Sequence, residues 1–326
     1  MKAITRAASG ILCALAFGGT VAAQGVSQIS IGSTASGSSA YTYYASVAAI
    51  LNRDLAGKLQ ATVVETGASV ENVRRLARKQ LTMGLVTSDI MYRTYSGEGT
   101  EANKNLRVLW TYFIAPQFYV VRQDSGVTRM DELTGKKFNP GFRGSATEST
   151  TQIIFDEVGI KPEYFRATLD DSIAAIKDNR IIGYAKGGSP VSLDATTMEI
   201  ASLTPVRVLS FTEEQIAKVR AKHSYITWLT LKPADAPGLG AEIRTWAPMT
   251  HVATSSDVLS EQMGYDIVKS VFNSQKEQAQ TTPSIAQIDF TKSLLLSSVP
   301  LHAGTVRYLR EKGIAVPAQL VPPETK

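Results

Sequence analysis

Three loops built from glycine, serine and threonine each follow an expected strand and lead into an expected helix. They span residues 32–39, 66–69 and 144–147. The first turn of a helix has unpaired N–H groups and a partial positive charge, and small residues let an anion approach closely. Taken singly, each loop is explained better by ordinary capping of its own helix, by Ser39, Ser69 or Ser145. Three such loops in one chain favour a carboxylate held between helix starts.

The residue patterns of common enzymes are missing from this sequence. His223, His251 and His302 form no HExxH pair and have no cysteine nearby, so we expect no metal site. The stretch Gly187-Gly188-Ser189-Pro190 fails the last position of a GxSxG nucleophile elbow, and no serine precedes a lysine by three positions. Nucleotide-binding glycine fingerprints are also missing. We therefore expect a protein that is not an enzyme and carries neither a metal ion nor a cofactor.

The first 23 residues have the three parts of a secretory signal. Lys2 and Arg6 give a positive start, Ala7–Val21 is mostly apolar, and Val21-Ala22-Ala23 offers small residues before a cut at Gln24. This coincidence favours a signal over a buried N-terminal helix. We expect a periplasmic protein with no cysteine after cleavage, because Cys13 is the only one in the chain.

Charge and length narrow the function classes further. The formal net charge of +5 falls to +3 when Lys2 and Arg6 leave with the signal, and no basic block remains. Nucleic-acid binding therefore has no support. Removing 23 of the 326 residues leaves 303, enough for two domains of ordinary size.

Strands and helices alternate in the first part of the chain. Apolar and β-branched stretches at 28–31, 61–65 and 83–86 are separated by segments with helical periodicity. This order is typical of parallel α/β structure. Two extended segments, Ala115 to Val121 and Thr245 to Thr254, follow later in the chain.

Several motifs of this sequence together resemble the TAXI family, the extracytoplasmic solute receptors of one class of TRAP transporters. Thr66-Gly67-Ala68-Ser69-Val70-Glu71-Asn72 is similar to the family's T-G-G-S-x-E-N motif, with Ala68 in place of a glycine. Further similar stretches occur in the family's order: Ile31–Gly37, Leu85–Ile90, Gly144–Thr147, Gly187–Pro190 and Val299–Tyr308.

The resemblance implies an α/β, bilobed periplasmic-binding-protein fold of type II-like architecture, with two lobes joined by extended hinge strands. Lobe 1 would hold residues 24–119 plus 247–326, and lobe 2 would hold residues 120–246, after a signal peptide at 1–23. Family members bind small carboxylates, glutamate and 2-oxoglutarate among them, and deliver them to a membrane permease driven by an ion gradient. A ligand-sensing module for a membrane receptor kinase is the alternative function on the same fold.

The helix starts and the resemblance together predict ligand-binding residues on both lobes. On the first lobe they are Ser33, Thr34, Ser36, Tyr41, Ser69 and Ser88, with Tyr41 covering the apolar part of a small carboxylate or amino acid. The second lobe would add Gly144, Ser145, Thr147 and Gly188. Arg143 either contributes to the anion site or faces solvent. Asp89 either orients its loop or binds an amine of the ligand.

Overall fold

The structure, a computed structural model, describes residues 26–236 and 238–325. The expected signal peptide at 1–23 lies outside the described residues. Within these ranges, no helix combines the length and the apolar character that crossing a membrane requires.

Twelve strands and eleven α-helices make up the described chain. The strands are β1 (Ser27–Gly32), β2 (Leu59–Val64), β3 (Met83–Thr87), β4 (Leu106–Ile114), β5 (Gln117–Arg122), β6 (Lys137–Asn139), β7 (Glu163–Tyr164), β8 (Gly183–Gly187), β9 (Val206–Leu209), β10 (Trp228–Leu231), β11 (Ile243–Trp246) and β12 (Met249–Ser255). The helices are α1 (Ser39–Asp54), α2 (Ser69–Ala77), α3 (Ser88–Ser96), α4 (Ala146–Val158), α5 (Leu169–Lys177), α6 (Ala195–Leu203), α7 (Glu213–Lys222), α8 (Glu261–Asn273), α9 (Gln275–Thr281), α10 (Phe290–Leu294) and α11 (Ala303–Glu311). Short 3₁₀ helices span Gln123–Ser125, Met130–Leu133, Pro283–Gln287, Ala318–Leu320 and Pro323–Thr325.

Two five-stranded sheets form the two lobes. The first has the order β2-β1-β3-β12-β4, with β1, β2 and β3 parallel and β12 antiparallel to its neighbours. The second has the order β7-β6-β8-β5-β9, with β6, β7 and β8 parallel and β5 antiparallel to β8 and β9. Each sheet thus contains one strand antiparallel to its neighbours, β12 in the first sheet and β5 in the second. Helices connect the parallel strands, as the sequence pattern predicts.

The chain passes between the lobes twice, and the two crossings lie side by side. Residues 115–116 connect β4 to β5, residues 247–248 connect β11 to β12, and the Ala115 amide donates to the Pro248 carbonyl at 2.9 Å. The predicted bilobed, type II-like fold is confirmed. The second sheet begins with Gln117, slightly before the boundary expected from the sequence, because Gln117–Tyr119 pair with β8.

Each lobe has its own apolar core. In the first, Trp110 and Tyr43 are completely buried against the α1 and α8 face of the sheet, and Trp110 Nε1 donates to Tyr43 Oη at 2.9 Å. In the second, Trp246 donates in the same way to Tyr119 Oη at 2.9 Å. Burying an aromatic ring while pairing its polar atom favours one rigid arrangement, so each lobe is stabilised by a core of its own.

His251 on β12 should make the fold sensitive to acid. Its ring is 1% exposed, its Nδ1 lies 2.7 Å from Thr111 Oγ1, and Nε2 has no partner among the described residues. Burial lowers the pKa of His251 from its ordinary 6.5 to about 4. Between pH 4 and pH 6.5 the His251 imidazole is therefore mostly protonated in the unfolded chain and mostly neutral in the native chain. The stabilisation is therefore complete above pH 6.5 and is lost as the pH falls.

We expect His251 to account for about 3 kcal/mol of lost unfolding free energy between pH 7 and pH 4. Urea titrations of the wild type and of His251→Gln at several pH values measure this contribution. The variant should lose less stability over that range, whatever its stability at pH 7. The pKa of His302 is also lowered, mainly by burial, but that residue is present in both proteins and cancels in the comparison. Parallel curves for the two proteins would contradict the prediction.

Candidate functional site

A cavity of about 670 Å³ lies between the two lobes, at the ends of strands from both sheets. Its walls include the starts of α1, α2 and α4, the β4–β5 crossing at Ala115, and the turn after β8. Parallel strands place the loops that follow them at one edge of the sheet. The three loops selected in the sequence therefore meet at this cavity.

The start of α1 presents free amides to the cavity. Ser38 caps the helix, with its Oγ accepting from the Tyr41 amide at 3.1 Å. The cap is therefore Ser38 and not Ser39, because Ser39 is already the first helical residue. Among the described residues, the amides of Ser39 and Ala40 have no acceptor, as expected for a first helical turn.

The start of α4 has the same design on the opposite lobe. Ser145 Oγ accepts from the Glu148 amide at 3.0 Å, as the sequence predicts for a cap. The amides of Ala146 and Thr147 have no acceptor within the described chain. Thr147 Oγ1 donates to Gln117 Oε1 at 2.6 Å, which fixes both side chains in the cavity wall.

The start of α2 contacts the other lobe, whereas the sequence predicted that its amides would face a ligand. The amides of Val70 and Glu71 both donate to the Gly144 carbonyl of the other lobe, at 3.1 and 3.3 Å. The Gly67 amide donates to Glu71 Oε2 at 2.7 Å. This helix start therefore joins the two lobes, and two of its amides, those of Val70 and Glu71, are already occupied.

Ala68 occupies a backbone conformation that normally requires glycine. It precedes α2 with φ of 81° and ψ of −147°, and it lines the cavity. Residues with a Cβ are strained there by about 1–3 kcal/mol. The T-G-G-S motif has a glycine at this position, and a glycine adopts this backbone conformation without strain. This chain has Ala68 there, so it carries the strain.

Ala68→Gly is expected to stabilise the protein by about 1 kcal/mol, the released strain less the extra entropy of an unfolded glycine. Ala77→Gly, the same change at the exposed end of α2, is the matched control and should destabilise by about 0.5–1 kcal/mol. Urea unfolding of the three proteins measures both effects. A destabilised Ala68→Gly variant would contradict the prediction.

Five charged side chains line the cavity, three basic and two acidic. They are Arg74, Arg143, Lys186, Glu65 and Glu71. Glu71 forms an ion pair with Arg75 along α2, and Lys186 Nζ lies 2.5 Å from Asp194 Oδ1. Arg143 is exposed at the rim, where its guanidinium contacts the Arg166 carbonyl at 3.4 Å. Basic groups therefore outnumber acidic ones in the lining.

Aromatic and aliphatic side chains supply the remaining wall. Tyr112 and Phe113 come from β4, while Phe142 and Leu169 come from the second lobe. The Tyr112 ring stacks on Tyr43 with centroids 4.0 Å apart. A guest with a short apolar portion would pack here and not against Tyr41, the residue predicted from the sequence to cover it.

Six of the residues predicted from the sequence line the cavity. They are Thr34, Ser69, Gly144, Ser145, Thr147 and Gly188. Ser69 does not cap α2 as predicted, because Ala68 occupies the cap position and Ser69 Oγ instead accepts from the Thr87 amide at 3.2 Å.

Four predicted residues lie outside the lining, each for a visible reason. Ser33 is completely buried behind it, and its carbonyl accepts from Thr66 Oγ1 and Asn72 Nδ2. Ser36 is exposed, and Tyr41 is half-buried on α1 away from the cavity. Ser88 Oγ accepts from the Met249 amide at 3.2 Å and thereby supports the β12 crossing.

Asp89 contacts the opposite lobe. It is 1% exposed, and its Oδ2 accepts from Thr150 Oγ1 on α4 at 2.5 Å. One helical turn later, Arg93 donates to Ser149 Oγ at 2.9 Å. Helices α3 and α4 thus form a second contact between the lobes, and Asp89 lies outside the cavity lining.

Several polar residues of the wall were not predicted from the sequence, among them Thr87, Gln117, Lys186 and Thr250. Thr87 and Thr250 are paired across β3 and β12, and Thr87 Oγ1 has no partner among the described residues. The end of the predicted third strand could have indicated Thr87. The other three lie inside strands or at the crossings, where no local pattern distinguishes them. No cluster of histidine, cysteine or carboxylate side chains suited to a metal ion occurs in the part of the chain described.

Several solved structures resemble this chain at low sequence identity. A protein of Bordetella bronchiseptica matches with a TM-score of 0.51 at 10% identity, over 91% of this chain and 85% of that one. The alkanesulfonate-binding protein SsuA from Xanthomonas axonopodis pv. citri, bound to MOPS, gives 0.49 at 12% identity over 92% and 98% of the two chains. An ancestral arginine-binding protein bound to arginine gives 0.49 at 14% identity over 80% and 96%.

The family relationship is established by sequence and not by these structures. The profile of the NMT1-like family matches residues 31–313. That range includes both sheets except the first residues of β1, both crossings and every residue of the cavity lining. This protein therefore belongs to the NMT1-like family.

Proposed function

We propose that this protein is a periplasmic solute-binding receptor that captures a small carboxylate, similar to glutamate or 2-oxoglutarate, and delivers it to a TRAP permease. The observation that carries the proposal is the cavity of about 670 Å³ between two hinged lobes, with helix starts facing it from both sides. A volume of this size is ordinary for a small-molecule site.

The charge and hydrogen-bond donors of the walls favour an anion. The free amides of Ser39, Ala40, Ala146 and Thr147 lie at the positive ends of α1 and α4. Basic side chains outnumber acidic ones in the lining. A carboxylate accepts hydrogen bonds from several such donors at once, so it matches this wall better than a cation or a sugar.

The connections between the lobes favour a receptor that closes around its ligand. Two adjacent crossings leave the lobes free to rotate, and contacts such as Gly144 with Val70 and Asp89 with Thr150 form only when the lobes meet. A ligand that touches both walls stabilises this closed arrangement over an open one. A permease can recognise the closed form as the loaded form.

The resemblance to TAXI receptors supports the choice of permease. The residues of the T-G-A-S-V-E-N stretch act together in this fold: Asn72 Nδ2 donates to the carbonyls of Ser33 and Leu85 at 3.0 and 2.9 Å, and Thr66 donates to Ser33 at 2.8 Å. These bonds hold the first two loops at the cavity. The expected signal sequence supports a periplasmic location.

A thermal-shift screen of the mature protein tests the carboxylate proposal. L-Glutamate, 2-oxoglutarate, succinate, L-glutamine, glucose and a diamine form a suitable panel. At least one carboxylate should raise the melting temperature in a concentration-dependent manner, because a ligand that binds only the native state stabilises it. A shift caused only by the sugar or the diamine would contradict the proposal.

Uptake of the identified ligand by cells tests the partner. A strain lacking the protein should lose uptake of that compound, and an uncoupler should abolish wild-type uptake even when cellular ATP is maintained. Unchanged uptake in the deletion strain would contradict the transport role and favour the sensing alternative.

A further inference from the structure

Lys186 differs from the other basic residues of the cavity because its side chain is largely shielded from solvent and held in place. Its side chain is 11% exposed, whereas Arg74 and Arg143 are exposed residues. Nζ lies 2.5 Å from Asp194 Oδ1, at the start of α6. A fixed ammonium loses little freedom when a ligand binds, so its contact with the ligand is stronger than that of a mobile surface cation.

The residues around Asp194 keep the lysine in position. Asp194 caps α6 by accepting from the Thr197 amide at 3.1 Å, and its second oxygen accepts from Thr197 Oγ1 at 2.5 Å. Tyr184, two residues before Lys186 on the same face of β8, contacts the same threonine hydroxyl at 2.8 Å. The aspartate thus accepts three hydrogen bonds, two from Thr197 and one from Lys186. Because Asp194 lies outside the cavity lining, it orients the lysine and is not placed to bind a ligand amine.

The ammonium still has donors to offer. A lysine carries three N–H donors, and Asp194 is its one hydrogen-bond partner among the described residues. Leaving donors of a buried charge unpaired is costly. An acceptor on the guest would remove this cost.

The fold places Lys186 beside the free amides of α4. Strands β6 and β8 are parallel neighbours, with Asn139 opposite Tyr184, so the loop after β6 and the end of β8 reach the same edge of the sheet. That loop leads to Ser145 and α4, and both Lys186 and Thr147 line the cavity. One carboxylate can thus meet a helix start and an ammonium on this wall.

We infer that Lys186, held by Asp194, is the residue that gives the second lobe its specificity for a carboxylate. This inference rests on the proposed function and adds the residue that selects the charged group. On the wall of the second lobe, the ammonium forms a charge-assisted bond to the carboxylate while the α4 amides bind the same group. A neutral amide or hydroxyl guest cannot replace that bond at equal strength.

Isothermal titration of the mature protein with L-glutamate and 2-oxoglutarate tests the inference, using wild type, Lys186→Gln, Lys186→Arg and Lys177→Gln. Lys186→Gln should weaken binding of whichever probe the wild type binds by about 30-fold or more. Lys186→Arg, which keeps the charge, should lose less. Lys177 forms a surface ion pair with Glu199 on the same lobe, so Lys177→Gln should bind within twofold of the wild type.

Two measurements separate a binding role from a structural one. Unliganded Lys186→Gln should lose some stability, because Asp194 loses the charge of its partner, but it should keep a cooperative urea transition, so its affinity is measured on folded protein. Asp194→Asn should weaken binding in the same direction, because the lysine is then held less firmly. Equal affinity of Lys186→Gln and wild type for the probe would overturn this inference alone, whereas a wild type that binds no carboxylate would overturn the proposed function with it.

Discussion

Replacing Ser145 with aspartate is expected to abolish carboxylate binding while the fold survives. Aspartate caps helices as well as serine does, so the bond to the Glu148 amide and the start of α4 should be retained. A negative charge at a helix start is itself stabilising. The new carboxylate would compete for the amides of Ala146 and Thr147 and repel an anionic guest. Like-charge contact in a cleft costs several kcal/mol, a loss of affinity of about 100-fold or more.

Two variants show whether charge at the cavity causes this loss. Ser260 caps α8 with the same geometry, its Oγ accepting from the Met263 amide at 3.2 Å, and it lies outside the cavity. Ser260→Asp should therefore bind normally. Ser145→Ala removes the cap at a cost of about 1 kcal/mol of stability but leaves the amides free, so it should still bind. Calorimetry and urea unfolding give both quantities, and tight binding by a folded Ser145→Asp protein would refute the anion site at α4.

Adding a single methyl group at Gly67 is expected to prevent full closure of the lobes. A Cβ built there would lie 2.6 Å from the Arg143 carbonyl oxygen of the opposite lobe. Backbone atoms cannot rotate away as a side chain can, so the lobes must separate and weaken the bonds from Val70 and Glu71 to Gly144. Gly67 has no positive φ, and the close contact of the new Cβ within the first lobe, 2.9 Å to Glu71 Oε2, is to the end of a flexible side chain that can shift.

Gly67→Ala should reduce ligand affinity by about 10–100-fold, because apparent affinity falls with the population of the closed state. Small-angle scattering should show that the wild type contracts when ligand is added and that the variant contracts less. Gly37→Ala is the matched control, since a Cβ at Gly37 meets nothing within 4 Å. A variant that contracts and binds like the wild type would show that this contact does not limit closure.

Many of the strands and helices could be predicted from local sequence patterns. Strand–loop–helix order predicted the parallel part of the first sheet, and the small-residue loops predicted the starts of α1, α2 and α4 near Ser39, Ser69 and Ser145. These signals are local: alternation of apolar residues, capping side chains and glycine depend on neighbours within a few positions. The same locality explains the error at α1, where Ser38 and Ser39 are both suitable caps and only backbone geometry selects Ser38.

Contacts between distant segments of the chain decide whether the amides at each helix start are available to a ligand. Two amides of α2, those of Val70 and Glu71, are occupied because the second lobe places the Gly144 carbonyl against them. Tyr41 was predicted to cover the ligand, but α1 turns it away and β4 supplies Tyr112 and Phe113 instead. Lys186 has no local signal, because its partner Asp194 and the nearby start of α4 come from separate elements.

The sequence by itself determined the class of structure, the order of its elements and three places where an anion could meet a helix, since these depend on short-range backbone and capping preferences. Only the tertiary structure decided which helix starts keep their first amides free, which one joins the lobes, and which lysine faces the cavity. The reason is physical: a hydrogen-bond donor is available to a ligand only if no other part of the folded chain reaches it first.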